Sequence, residues 1–445
     1  MKKIERIILV LVSILMAVIA IVGISHMDLN YISLWAISLL DHIKMGQLGS
    51  YANDLLSNNQ GTNYNLFQNG SVAFWCLPLY VLNLLTKIKV SALAYQVWIK
   101  MIIAILQFAC AKELYTIVMF LKHDERMAWI LAILYLGSPV VLIHGVGIGQ
   151  IDVLGVLFFL LSIRFCLEKK YYKMALAMGF ALLSKFFVLM FYVPWLLLEF
   201  KNIKKYIKYI WITPVVVIAN SVITRFLIKD YGVQASSHNK IYFIPRLFMV
   251  EIRDASIVLM LIMVLCAMAL AINKRNKTKS YHYLLFPCMV YYVFFLLVYW
   301  HPQWYMYVLP MLLLMGGGVH QEEEFAFYYI GNSLGFTLYS LAKFNTNEVN
   351  AMLVWNSLLG SRISGKHTYV SAWILERFSE YSTSIGYTIF MASFAILIGL
   401  FFVDARGGKE RQGEQEICLP IGFWGMVAFV PTVIYYVVIF YCYFA

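Results

Sequence analysis

Residues 1–24 read MKKIERIILVLVSILMAVIAIVGI: three cations, Lys2, Lys3 and Arg6, followed by an apolar run. Roughly 20 apolar residues is the length a helix needs to cross the hydrocarbon core of a bilayer. No small-x-small cleavage pattern follows cleanly, so the stretch reads as an uncleaved first span with its N-terminal end in the cytoplasm, not as a signal peptide. Runs of the same kind recur along the 445 residues, which are 62% hydrophobic and only 13% charged. The mean hydropathy is +0.75, and soluble domains carry roughly 25% charged residues. A soluble fold must wet its exterior and could not hide this much apolar surface. The chain reads as a polytopic membrane protein, which excludes soluble enzymes, disulfide scaffolds and disordered regulators.

The net charge of +12 resembles a nucleic-acid signal, but its distribution argues against one. Lys and Arg gather in short loops between apolar runs: Lys2-Lys3-Arg6, Lys122 with Arg126, Lys169-Lys170-Lys173, Lys201-Lys204-Lys205-Lys208, Lys274-Arg275-Lys277-Lys279 and Arg406-Lys409-Arg411. Placing all of them in the cytoplasm satisfies the positive-inside rule. The spans between them are then 5–25, 93–120, 127–144, 152–168, 172–184, 186–200, 206–227, 254–273, 281–299, 304–318, 326–342, 385–403 and 420–443, about thirteen transmembrane helices in an all-α fold. The fifth and sixth, separated by Lys185, are short enough to be half-helices meeting inside the membrane. Such breaks occur where backbone lines a polar cavity. Residues 26–92, 228–253 and 343–384 fall outside. The first of these, 26–92, is a long extracytoplasmic loop in which Tyr31 to Leu40 and Val72 to Leu85 read as helices lying on the membrane surface. No repeat and no separate soluble domain is visible, so residues 1–445 form one membrane domain. The seven cysteines (Cys76, Cys110, Cys166, Cys266, Cys288, Cys418 and Cys442) form no CxxC pair and read as small buried hydrophobes.

The chemistry-bearing residues collect in the outer turns. Asp28 follows the first span within Ser25-His26-Met27-Asp28-Leu29-Asn30-Tyr31, where a carboxylate either accepts a proton from a substrate or is simply solvated. Asp41 and Asp54 lie in the same loop, and Asp41 has Lys44 as a sequence-local partner. Gly147-Ile148-Gly149-Gln150-Ile151-Asp152 joins the third and fourth spans. Its glycines suit a tight turn. Asp152 is read either as a helix cap favoured by the dipole or as a substrate ligand. No strand precedes the GxG, so it is no dinucleotide motif. Lys185 sits among apolar neighbours, where an ammonium ion is costly. It calls for a cavity, an anionic ligand such as a phosphate, or a salt bridge to Asp152. Trp300-His301-Pro302-Gln303-Trp304 is an aromatic-belt segment in which His301 and Gln303 add hydrogen-bonding groups. Arg246 and Arg253 are either solvated or a phosphate clamp. All of these sites fall on one membrane face and suit a substrate carrying a phosphate and hydroxyls.

In this order the segments resemble the GT-C superfamily of integral-membrane glycosyltransferases, which includes the dolichol-pathway glucosyltransferases, the GPI mannosyltransferases and bacterial relatives. The resemblance rests on Asp28 after the first span, then Cys76-Leu77-Pro78-Leu79-Tyr80 beside a family Tyr-Pro-Pro-Leu element. It continues with Ser138-Pro139 before Gly149-Gln150-Ile151-Asp152, Leu183-Ser184-Lys185 before Val193-Pro194, and His301-Pro302-Gln303-Trp304. It covers residues 1–320; beyond them only the helix count matches. The resemblance implies a GT-C-like fold with amphipathic helices in the first outer loop. It implies inverting transfer of a hexose, mannose-like, from a polyprenyl-phosphate sugar donor to a glycan, lipid or protein acceptor outside a bacterial plasma membrane. On it, Asp28 is the general base, Lys185 with Arg246 neutralises the departing lipid phosphate, and Gln150, Asp152, His301, Gln303 and Trp304 bind substrate. Cys76-Leu77-Pro78 lacks the family's double proline. No Asp-x-Asp or Glu-x-Asp pair follows the first span, so neither metal nor cofactor is expected. The partners expected are substrate and membrane lipids, with no nucleic acid. A transporter or flippase of a lipid-linked saccharide is the competing expectation.

Overall fold

The structure, a computed structural model, describes residues 3–57, 64–86, 88–228, 250–252, 255–298, 300–319, 321–343, 377, 381–407 and 418–444. It is all-α apart from a two-residue antiparallel pairing of Glu251–Ile252 with Ala255–Ser256. The first helices are α1 (Lys3–Gly23), α2 (Met27–Met45), α3 (Tyr51–Ser57), α4 (Leu66–Thr86) and α5 (Ala92–Lys122). Then come α6 (Glu125–Gly137), a π-helical segment (Val140–Gly147), α7 (Val153–Leu167), α8 (Tyr171–Ser184), α9 (Leu189–Glu199) and α10 (Ile203–Leu227). The last six are α11 (Ile257–Lys274), α12 (His282–Leu297), α13 (Tyr305–Gly316), α14 (Glu322–Lys343), α15 (Ser382–Gly407) and α16 (Ile421–Phe444).

Local chemistry sets many of these boundaries. The Ser91 and Ser256 hydroxyls accept from Ala94 N and Leu259 N at 3.2 and 3.1 Å and open α5 and α11. The Asp124 carboxylate does the same for α6 from Met127 N at 3.1 Å. These are the orphan amides of a first helical turn, satisfied by a side-chain oxygen. Gly46, at φ +68°, ends α2 in the left-handed conformation that glycine adopts without strain.

The expected count of about thirteen spans is not what the helix lengths give. Among the described residues, seven helices are by length and composition long and apolar enough to cross a membrane, or eight if the bent pair α6 and the π segment form one span. The difference lies in short helices and in α14, which at 22 residues is long enough but not apolar enough. α9 has 11 residues and α12 has 16, so they rise only about 17 and 24 Å against a hydrocarbon core of roughly 30 Å. α13 explains one such case: all 12 of its residues, Tyr305–Gly316, are buried inside the protein, so its apolar surface meets other helices instead of lipid. α4 departs in the opposite direction. The stretch expected to lie on the surface belongs to a 21-residue helix among the seven able to span.

Charged contacts fasten one end of the bundle. Arg6 pairs with Glu125, and Lys122 donates to the Gly317 carbonyl. Arg164 pairs with Glu113 at 2.7 Å and Lys169 with Glu199 at 2.9 Å. Glu322 is a hub: Arg126 donates to it through both terminal nitrogens, while Leu419 N and Trp424 Nε1 donate at 3.0 and 3.2 Å. It thereby joins the starts of α6, α14 and α16. The described basic groups at Arg6, Lys122, Arg126 and Lys169 take part in these contacts. α14 and α15 pack backbone to backbone through small residues. A Cβ on Gly335 would fall 2.5 Å from Phe390 N, and one on Gly386 would fall 2.6 Å from Tyr339 N. Small residues allow helices to approach this closely where lipid supplies no hydrophobic driving force. Of the cysteines, Cys76, Cys110, Cys166, Cys288 and Cys442 are buried as expected, Cys266 is half-buried, and Cys418 is exposed.

Candidate functional site

The opposite end of the bundle assembles Asp28 from three directions. α1 stops at Gly23 and α2 begins at Met27, so the chain reverses within a few residues. His26, extended at φ −137° and ψ 154°, caps α2: its Nδ1 accepts from the Asp28 backbone N–H at 3.1 Å. The same nitrogen lies 3.5 Å from an Asp28 carboxylate oxygen, which also accepts from Gln150 Nε2 at 2.9 Å. The Asp28 side chain nevertheless stays 46% exposed. Its carboxylate is held on one side and open on the other.

Gln150 arrives through the turn after the π segment. Ile148 N and Gln150 N both donate to carbonyls five residues back, Ile143 O and Gly145 O, at 2.9 Å. Gly149 then takes φ +79°, and a Cβ there would meet Leu29 Cδ1 at 2.7 Å. Glycine is therefore required twice over at this position, for its conformation and for the close approach to the first turn of α2. The bend between α6 and the π segment is 49°, at a point where Ser138 and Pro139 interrupt the helix. Helical irregularity of this kind concentrates at functional sites.

A second cluster adjoins the first. Asp152 is fully buried at the start of α7, yet its side chain makes no capping hydrogen bond. It occupies the N-cap position expected of it without the capping hydrogen bond. Lys185 Nζ approaches it at 3.7 Å, an ion pair without a close hydrogen bond, and Lys185 itself is 21% exposed. Lys185 is extended, between the end of α8 at Ser184 and a 3-10 turn over Phe186–Val188 that leads into α9. The helix is interrupted at this lysine, between α8 and α9. Asn65 Nδ2 donates to Leu183 O at 2.5 Å, and Tyr307 Oη donates to Asp152 O at 3.2 Å. Burial, and after it the Asp28 and Asp152 carboxylates, push the Tyr64 phenol well above its usual value. The Tyr64 ring also meets Trp35 edge-on at 5.4 Å.

The remaining expected residues fall out as follows. His301 precedes a 3-10 turn over Pro302–Trp304 and lies ring-to-ring with Trp304 at 5.4 Å. This turn, which contains Gln303, packs against the π segment that precedes Gln150. Arg246 and Arg253 lie outside the described residues. Asp41 accepts from Tyr80 Oη at 2.5 Å, so its hydrogen-bond partner comes from α4 and not from neighbouring Lys44. Asp54 is bound by His42 Nε2 at 2.8 Å and by Ser50 Oγ at 2.9 Å, away from the Asp28 cluster. Among the described residues, no three His, Cys, Asp or Glu side chains gather as a metal site.

Sequence reasoning missed Tyr64, Asn65, Gln96 and Lys100. Gln96 Nε2 donates to Asn30 Oδ1, and Lys100 Nζ donates to the carbonyls of Ile21 and Ile24. The signal was present for two of them. Gln96, Lys100 and Gln107 recur at helical spacing within one apolar run, and all three are buried. Polar groups on one face of a membrane helix mark the side turned toward protein. Compared with known protein families, curated proteins and solved structures, the chain matches none.

Proposed function

We propose that this protein is a membrane glycosyltransferase that moves a hexose, mannose-like, from a polyprenyl-phosphate donor to a hydroxyl of a glycan, lipid or protein acceptor. The observation that carries this reading is the half-open carboxylate of Asp28, fixed by Gln150 and His26, with the partly exposed Lys185 in the neighbouring cluster. One positioned carboxylate is what activation of an acceptor hydroxyl needs. Asp28 takes the hydroxyl proton as the oxygen attacks the anomeric carbon. The bond from that carbon to the phosphate oxygen breaks on the opposite face, and polyprenyl phosphate leaves with inversion. Lys185 meets the charge that grows on the leaving phosphate, while Asp152 holds the ammonium group in place from behind. His301, Gln303 and Trp304 present polar and aromatic groups to the sugar. The positive-inside rule supports basic loops on the cytoplasmic side, and on this reading Asp28 works on the extracytoplasmic side of a multi-pass protein of the cell membrane.

The test is sugar transfer by purified protein in nanodiscs, using radiolabelled polyprenyl-phosphate hexoses and membrane lipid extract as acceptor. Label should enter a new product, and Asp28→Asn at normal protein level should lower the rate by roughly 10²–10⁴-fold. Full activity in that variant removes Asp28 as the base.

One observation favours a second reading, movement of a lipid-linked saccharide across the bilayer. α8 and α9 are short, and they meet at an extended, charged Lys185, as the discontinuous helices of transporters do. Tight donor binding with no turnover under any acceptor, together with movement of the lipid between leaflets, would decide for it.

A further inference from the structure

We propose that Lys100 is a positioning residue for Asp28, holding the bend between α1 and α2 from which the carboxylate is presented. The proposal rests on the reading of Asp28 as the reacting carboxylate. Lys100 lies in α5, a helix able to span a membrane, and is only 2% exposed. A buried ammonium in such a helix is expensive and calls for a function. Among the described residues it makes no ion pair with a carboxylate; its ammonium donates to Ile21 O at 3.1 Å and to Ile24 O. Ile21 is in the last turn of α1 and Ile24 is the residue that follows its end. The last carbonyls of a helix lack intrahelical donors and carry the negative end of its dipole. A single cation therefore satisfies two carbonyls at the point where the chain leaves α1.

The surroundings give that contact its consequence. Asp28 lies four residues beyond Ile24. Gln96, one helical turn before Lys100 on the same buried face of α5, donates to Asn30 on the far side of Asp28. α5 thus grips the chain on both sides of the carboxylate, at 21–24 and at 30. From another direction Ile24 is enclosed by the turn at Gly147, where a Cβ would fall 3.1 Å from Ile24 Cγ2. Lys100 itself makes no hydrogen bond to Asp28, so its effect runs through the backbone.

Lys100→Met keeps the length of the side chain and removes its donors; Lys100→Arg keeps donors. In Lys100→Met, amide hydrogen exchange across residues 24–30 should accelerate at least tenfold in nanodiscs, while exchange in the remaining helices stays as in the parent. Transfer should fall roughly 10²-fold, the cost of displacing a reacting group by about 1 Å, in kcat and not in donor KM. Lys100→Arg should recover much of both. Unchanged exchange at 24–30 in Lys100→Met overturns the proposal. If Lys100→Met fails to accumulate, Lys100→Gln, which retains a donor for one carbonyl, carries the same comparison. Asp28→Asn separates the two ideas. If it retains full transfer, the catalytic reading fails, and the exchange data alone decide whether Lys100 holds the bend.

Discussion

At the residue scale, Lys185 and Asp152 are an unequal pair. Asp152 is fully buried and Lys185 is partly exposed, at a separation of 3.7 Å, so the lysine can turn toward a ligand while the aspartate cannot. Removing the exposed partner leaves a buried carboxylate with no counter-charge, whereas removing the buried one leaves a cation that solvent can reach. Lys185→Met should therefore cost both thermal stability and donor-dependent turnover, the turnover by roughly 10²–10³-fold. Asp152→Asn should cost turnover with a smaller loss of melting temperature. Thermal melts of both variants alongside transfer assays check this ordering, and equal losses of stability would contradict it. Asp28, Gln150 and Lys185 were legible in the sequence because each interrupts apolar surroundings beside a turn. Tyr64 and Asn65 were not, because a tyrosine and an asparagine in a long loop carry no pattern until the fold brings them to Asp28 and Leu183.

At the element scale, α2 and α3 are joined by a titratable catch. His42 Nδ1 donates to Ser38 O at 2.7 Å, and Nε2 meets Asp54 at 2.8 Å. Burial lowers the imidazole pKa, but the bonds to Asp54 and Ser38 outweigh it and raise the value above 6.5. Asp54, open to solvent, is lowered first by His42 and then by Ser50. The histidine's contribution is complete below its unfolded value and fades as pH rises through the higher folded one. The aspartate's contribution is complete above its unfolded value and fades as pH falls through the lower folded one. The catch is thus strongest between about pH 4 and 6.5. Hydrogen exchange over residues 51–57, corrected for intrinsic rates, should be slower at pH 5.5 than at 8.5. His42→Gln should abolish the difference, and a persistent difference in that variant would assign the effect elsewhere. The helices themselves were largely legible, because apolar runs and basic loops bound them in sequence. Their capacity to cross the membrane was not. Whether a 12-residue helix such as α13 meets lipid or protein depends on neighbours distant in sequence.

For the molecule as a whole, the ion pairs Arg6–Glu125, Arg126–Glu322 and Lys169–Glu199 form a basic group separate from the contacts of Asp28, Gln150 and Lys185. On the proposed function, the positive-inside rule would put the basic loops in the cytoplasm and Asp28 outside. Single cysteines placed at Asn202 and at Gln303, in a background lacking Cys418, should label oppositely with an impermeant thiol reagent in intact cells. Position 303 should react from outside, and position 202 only after permeabilisation. Labelling of both from one side would break the two-ended description. The contacts also impose an order of assembly. Residues 28, 64, 150, 152 and 185 leave the ribosome early, and Tyr307 follows. The glycine seam of α14, by contrast, has nothing to close on until α15 is made, and Glu322 cannot acquire its Leu419 and Trp424 donors until the chain has passed residue 424. A chain halted before that point would hold the candidate site residues without the clasp that binds α6 and α14 to α16, so the bundle locks only after residue 424 has been made.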